Sequence, residues 1–537
     1  MRSRPLGYAD AARLLGGADN AVIKALGAAS GTAAAAVTVG TLGANDFFAL
    51  RGALITWGNA AVAGLRERVT GVRRFDRTQR LVAAHAIIVV TAFYEALDAV
   101  LADHPDVDLA AAALTAGEQV AIATSTVVTT RYADLVQVLI DTPPPMPAPH
   151  QPFEATVGAL AGYFGSAAAA LRDFLSGLSA FTGHADRVRE ALTAVEHEVR
   201  RAAVERYTRA YRALIIQAPE FGVWAGMVDA QATRALLRES VADLSAQLDA
   251  LRTVSGAAAV DAVLAGLGKR YRAGLDAAIL GAKHAPSHVV LPSLGDGYVN
   301  PHGRAAVAGP FDLPATEAWW ERSTAVDDVQ GFLLAHLTGP AAVVTPLVVL
   351  GQPGSGKSAM TKTLAARLPA ADFLVIRVEL RNVPADSSIQ AQIEEAVLQM
   401  LGERVSWPDL VRRAGAALPV VILDGFDELL QATGMNRADY LDQIRRFQQR
   451  EEELDRPVAV LVTSRTVVAD RARFPDNSVV LRLEPFDEPQ VRAWLDVWNA
   501  HNAGGLAARG LRPLPAETAL AQGELASQPL LLLLLAL

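Results

Sequence analysis

Two textures divide the chain. Through the first 285 residues, apolar side chains recur every three or four positions. Val188, Leu192, Val195, Val199, Ala203, Tyr207, Tyr211 and Leu214 make one stripe, and Leu237, Val241, Leu244, Leu248 and Leu251 make another. That is the 3.6-residue period of amphipathic helices, with Arg and Glu on the other faces. It predicts an all-α region whose stripes form bundle core rather than a partner surface. The run DTPPPMPAPHQP (141–152) cannot be helical and reads as a linker between helical subdomains 1–140 and 153–285. A second Pro- and Gly-rich break, 286–316, reads as another linker. Beyond it, helical patterns alternate with short aliphatic runs: Pro346–Leu350, Phe373–Leu380, Val420–Leu423, Val458–Thr463 and Val479–Leu483. Strands alternating with helices predict βαβ units and a mostly parallel sheet over 317–487, and 488–537 return to helix. The expected fold is therefore multidomain, all-α followed by α/β.

Composition narrows the picture. A chain of 537 residues is too long for one core. A net charge of −8 gives no global drive toward nucleic acid or an anionic membrane, and no helix-turn-helix signature or basic stripe stands out. The absence of Cys excludes disulfides and thiolate metal sites and suits a reducing compartment, so a cytoplasmic location is expected. The start, MRSRPLGYADAARLLGG, reaches Asp10 before any apolar run and does not read as a signal peptide. Residues 25–43 carry no charge over a membrane-spanning length, but they are mostly Ala, Gly, Thr and Ser. They read as a small-residue helix packed in the helical region, with membrane contact after activation the less favoured reading.

The chemistry sits at strand ends. The first aliphatic run leads into GQPGSGKS: Gly351, Gln352, Pro353, Gly354, Ser355, Gly356, Lys357 and Ser358. This fits G-x-x-x-x-G-K-[ST], the phosphate-binding P-loop, with a helix opening at Ala359. The glycines let backbone N–H groups wrap a phosphate. Lys357 reaches the β- and γ-phosphates, and the Ser358 hydroxyl ligates Mg²⁺. The run VVILDGFDELL ends a buried strand in carboxylates, which need a cation against them. Asp424 lies where it can serve the magnesium, and Asp427 or Glu428 where one can orient an attacking water. The next run, PVAVLVTSR, ends in Thr463, Ser464 and Arg465, and Arg465 can sense a γ-phosphate.

In that order, GQPGSGKS, LDGFDEL and VTSR resemble the NACHT ATPases, a clade of the STAND class of signalling P-loop NTPases. The D-G-x-D-E pattern is more specific than a generic P-loop, and the resemblance covers roughly residues 320–537. The helical first half, through the YVNP approach to the P-loop, is similar to helical domains that precede NACHT modules in bacterial proteins. The resemblance implies strand order 5-1-4-3-2, with the Arg465 strand between the P-loop strand and the Asp424 strand. It implies an ADP-bound resting state and an ATP-bound homo-oligomer, slow Mg²⁺-dependent hydrolysis, and a role in antiviral defence with the N-terminal helices as effector or adaptor. ATP rather than GTP rests on it too, since no N-K-x-D motif is visible. Pro529, in ASQPLLLLLLAL, stands where a proline of the family packs on adenine. The Leu run to Leu537 reads as a truncated lid. The competing expectations are a remodelling AAA+ ATPase with continuous turnover and a regulatory scaffold. The trigger is not legible.

Overall fold

A computed structural model describes residues 6–16, 51–104, 135, 137–176, 185–227, 261–279, 289–433 and 439–537. The uncharged stretch 25–43 and the stripe at 237–251 lie outside them. The chain divides into two compact units, one from residues 4–72 and 76–228, the other mainly from 229–537.

The first unit is helical: α1 (Tyr8–Gly16), α2 (Arg51–Ala63), most of α3 (Arg74–Asp103), α4 (Phe153–Leu175) and α5 (Ala185–Gln217). The α5 stripe behaves as its period requires. Leu192, Val195, Val199, Ala203, Tyr207, Tyr211 and Leu214 are all buried. Phe153 at the start of α4 stacks on Tyr207, with ring centroids 6.4 Å apart. α3 is apolar nearly all round. By length and composition it could cross a membrane, yet 89% of its apolar window is buried inside the protein, as for a central core helix. The Pro-rich run, irregular from Thr142 to Pro152 with a turn at Ala148–Gln151 and followed at once by α4, is a loop within this unit rather than a boundary between two subdomains.

The second unit carries a seven-stranded sheet of β1 (Gly303–Ala308), β2 (Thr324–Val326), β3 (Leu347–Gly351), β4 (Phe373–Glu379), β5 (Leu418–Asp424), β6 (Ala459–Arg465) and β7 (Ser478–Leu483). Their order is β2-β1-β7-β3-β6-β5-β4. The five parallel strands thus follow 5-1-4-3-2, with the Arg465 strand between the P-loop strand and the Asp424 strand. Two antiparallel strands extend the sheet beyond β7. One of them, β1, falls inside the stretch read as a linker. Its sequence, GRAAVA, has too little apolar bulk to signal a strand, and its stability comes from pairing along the whole of β7.

Every residue of β3 and of β5 is buried, because helices cover both faces of the sheet. Alternate residues feed opposite layers. Val348, Val421, Leu423 and Val460 pack toward α9 (Ile389–Leu401), α10 (Trp407–Ala414) and α12 (Tyr440–Glu453). Val349, Val420, Ile422 and Leu461 pack toward α7 (Val329–Thr338) and α8 (Lys357–Arg367). Between α10 and α12 runs α11 (Phe426–Thr433). Helix α6 (Ala262–Asp276), read from sequence as part of the second helical subdomain, belongs to this unit. Its Tyr271 hydroxyl donates to Val375 O at 3.3 Å and accepts the Arg377 N–H at 2.9 Å, on the outer edge of β4. After β7 the chain returns to helix as expected, in α13 (Glu488–Ala507) and α14 (Pro529–Ala536). Asp487 and Gln490 form a capping box at the start of α13.

Candidate functional site

Strand register brings the motifs together. Gly351 is level with Arg465 across β3 and β6, and Glu379 with Asp424 across β4 and β5. All four lie at carboxyl ends of parallel strands, where ligands bind in open α/β sheets. A cavity of about 360 Å³ opens there, lined by Pro353 through Ala359, Asp424, Asp427, Glu428, Thr463, Arg465 and Pro529. Gly351 and Gln352 reach the cation of this cavity through their carbonyls instead. Lys357 Nζ donates to Gly351 O at 2.7 Å and to Gln352 O at 3.0 Å. Burial pushes the Lys357 ammonium down to about 8, against the pull of Asp427 and Asp424.

The loop fits a phosphate. Gly354 and Gly356 have φ of +77° and +90°, conformations that a residue with Cβ rarely adopts. A Cβ on Gly354 would also meet Leu530 Cβ at 3.1 Å. Gly356 opens α8, so that helix N-terminus faces the cavity. Ser355 Oγ, buried, has no hydrogen-bond partner in the protein, the condition of a hydroxyl left for a ligand. Ser358 lines the same space on the first turn of α8.

Asp424 and Asp427 are committed to partners. Asp424 is buried; its Oδ1 accepts from Thr463 Oγ1 at 2.6 Å, and its Oδ2 accepts from Thr361 Oγ1 at 3.2 Å and from Arg377 Nη2. Thr463, one of the polar residues at the tip of β6, thus braces Asp424, and its Oγ1 also accepts the Gly425 N–H at 2.9 Å. Arg465 Nε lies 2.7 Å from Asp427 Oδ2, joining two residues assigned separate tasks from the sequence. The Glu428 side chain lies beside Gly425 at the cavity wall. Tyr298, Val299, Phe486, Trp494, Pro529 and Leu533 also line the cavity and give it an apolar wall suited to a planar base. Pro529 is the first residue of α14, and the Leu530 N–H donates to Gly354 O at 3.3 Å.

Two family models match the chain. The NACHT N-terminal helical domain 7 model covers residues 3–229, and the NACHT domain model covers residues 345–502. The chain is a NACHT NTPase with an N-terminal helical domain. A search of curated proteins returns no match. The NACHT match spans the P-loop, Asp424, Asp427, Glu428 and Arg465, but begins after β1 and β2 and ends before Pro529. The NACHT sheet is therefore enlarged, and its cavity closed, by segments on either side of the match.

Sequence reasoning missed Arg377, Thr361 and the Tyr298, Phe486 and Trp494 wall. Arg377 had a legible signal, as a charge directly after the apolar run FLVI in a strand whose first four residues are buried. The wall residues come from separate parts of the chain and have no local signature.

Proposed function

We propose that this NACHT NTPase is a slow Mg²⁺-dependent ATPase used as a signalling switch, ADP-bound when off and ATP-bound and homo-oligomeric when on. The observation that carries the reading is the grip of the C-terminal segment on the P-loop. Leu530 N–H bonds to Gly354 O, while Pro529 and Leu533 wall the cavity that Lys357 enters. A lid that touches the phosphate loop itself favours retention of nucleotide over rapid exchange.

Within that reading each residue has a task. Lys357 leaves the Gly351 and Gln352 carbonyls for the β- and γ-phosphates. The N–H groups of Gly354 to Ser358 and the α8 N-terminus take the phosphate charge, and Pro529 packs on adenine. Ser358 and Asp424 would hold Mg²⁺, which would supply charge neutralisation for a bound nucleotide. Asp427 is engaged by Arg465, which leaves Glu428 to orient the attacking water. Arg465, linked to Asp427, registers the γ-phosphate. By family resemblance, the N-terminal helices act as effector or adaptor in bacterial antiviral defence, in the cytoplasm.

The deciding experiment is denaturation of purified protein and chromatography of the released nucleotide, beside Lys357→Ala. Near-stoichiometric ADP, absent from the variant, supports the switch. Equal nucleotide content in both rejects the P-loop assignment. An empty protein that turns over ATP at about 1 s⁻¹ or faster is a motor-like enzyme instead.

A further inference from the structure

Arg377 on β4 occupies the carboxylate assigned to the metal. Its side chain is 9% exposed and that of Asp424 5%, so their attraction is little screened. Nη2 donates to Asp424 Oδ2, Nε donates to Thr361 Oγ1 at 3.0 Å, and Nη1 donates to Glu379 Oε1 at 2.6 Å. Glu379 is itself shared with Arg381 Nη2 at 3.1 Å. Asp424 Oδ1 is meanwhile taken by Thr463. A buried carboxylate with both oxygens bonded and its charge balanced is a reluctant ligand. To approach a dication it must give up a partner or hold two cations side by side. Thr361 and Thr463 are neutral and can remain; the guanidinium is the like charge.

We propose that Arg377 is a positioning residue that competes with a divalent cation for Asp424, and so sets how much Mg²⁺ the nucleotide site requires. The inference rests on the reading of this site as a Mg–nucleotide site. Arg377 holds the Asp424 carboxylate in place and must retreat toward Glu379 for the metal to reach it. Glu379 is the counter-charge that receives it.

The test is a Mg²⁺ titration of the affinity for a fluorescent ADP analogue, read by anisotropy on the full chain after removal of metal by EDTA and of any co-purified nucleotide, its absence checked by chromatography. Arg377→Gln keeps an amide donor to Asp424 but removes the charge. It should lower the half-saturating Mg²⁺ concentration about tenfold, since one competing positive charge is removed from Asp424. Arg377→Lys retains the charge and should restore a midpoint within about twofold of wild type, since a compact ammonium still competes. Glu379→Gln leaves the guanidinium to Asp424 alone and should raise the midpoint; it stands as the test if Arg377→Gln does not fold. An unchanged or raised midpoint in Arg377→Gln, or an unchanged one in Glu379→Gln, overturns the proposal. Failure of wild type to bind the analogue at any Mg²⁺ concentration rejects the nucleotide reading as well. Binding with an unmoved midpoint rejects only the role of Arg377.

Discussion

Replacing Thr463 by Val tests whether the site is braced from within. Thr463 is wholly buried, and its Oγ1 makes two hydrogen bonds, donating to Asp424 Oδ1 at 2.6 Å and accepting the Gly425 N–H at 2.9 Å. Valine keeps the shape and removes both. A hydrogen bond to a charged group contributes about 1.5–3 kcal/mol, and stranding the half-buried Gly425 N–H costs about 1 kcal/mol. The two losses share one relaxation, so about 3 kcal/mol is a fair total. For a domain of this size that lowers Tm by about 6–12 °C. Thr463→Ser keeps the hydroxyl and sheds one methyl, a loss of about 1 kcal/mol. The assay is thermal unfolding of both variants followed by far-UV circular dichroism. If Val and Ser fall by the same amount, or Val by less than about 2 °C, the brace is not what holds Asp424 and the reasoning fails.

Three further outcomes are expected. Burial holds His85 down to about 3, with Nε2 lying 3.0 Å from Tyr207 Oη, whereas the unfolded chain takes up that proton near 6.5. Stability is therefore lost as pH falls below 6.5 toward 3, by about 1.4 kcal/mol per unit, and urea midpoints at pH 7.5 and 5.5 should differ less in His85→Gln than in wild type. Gly303→Ala would place a Cβ 2.8 Å from the Arg482 carbonyl oxygen, so it should weaken the β1–β7 pairing and cost about 1–3 kcal/mol, visible as a lower melting temperature. Gly354→Ala, strained at φ +77° and crowded by Leu530, should weaken binding of an ADP analogue by about tenfold or more, and an unaltered Kd would contradict the fit of loop to lid.

The parts of this molecule that were legible in the sequence are those where local pattern and final environment agree. The five parallel strands read as aliphatic runs because helices bury both faces, and GQPGSGKS declared itself because phosphate binding needs glycine at fixed positions. The carboxylates of DGFDE were found through the cost of their position. The misses share a different cause. Strand β1 is specified by β7, some 170 residues away, rather than by its own Ala-rich sequence. Thr463 was read by its place at a strand tip, and its partner lies on another strand. Tyr298, Phe486 and Trp494 become a wall only once α13 and the approach to β1 meet over the P-loop.

Helix α6 has a consequence for how this sheet meets other chains. β4 is the outermost strand on its side, and an open strand edge is a template onto which any extended segment can zip. Tyr271 occupies that template with a single hydroxyl, satisfying the Val375 carbonyl and the Arg377 N–H together. The same backbone unit carries the guanidinium that reaches Asp424. A foreign strand could add to this edge only by evicting the phenol, and eviction would tug at the residue that guards the metal-side carboxylate. One side chain therefore serves as both a gatekeeper against unwanted strand exchange and a mechanical tie between a sheet's rim and its chemical centre.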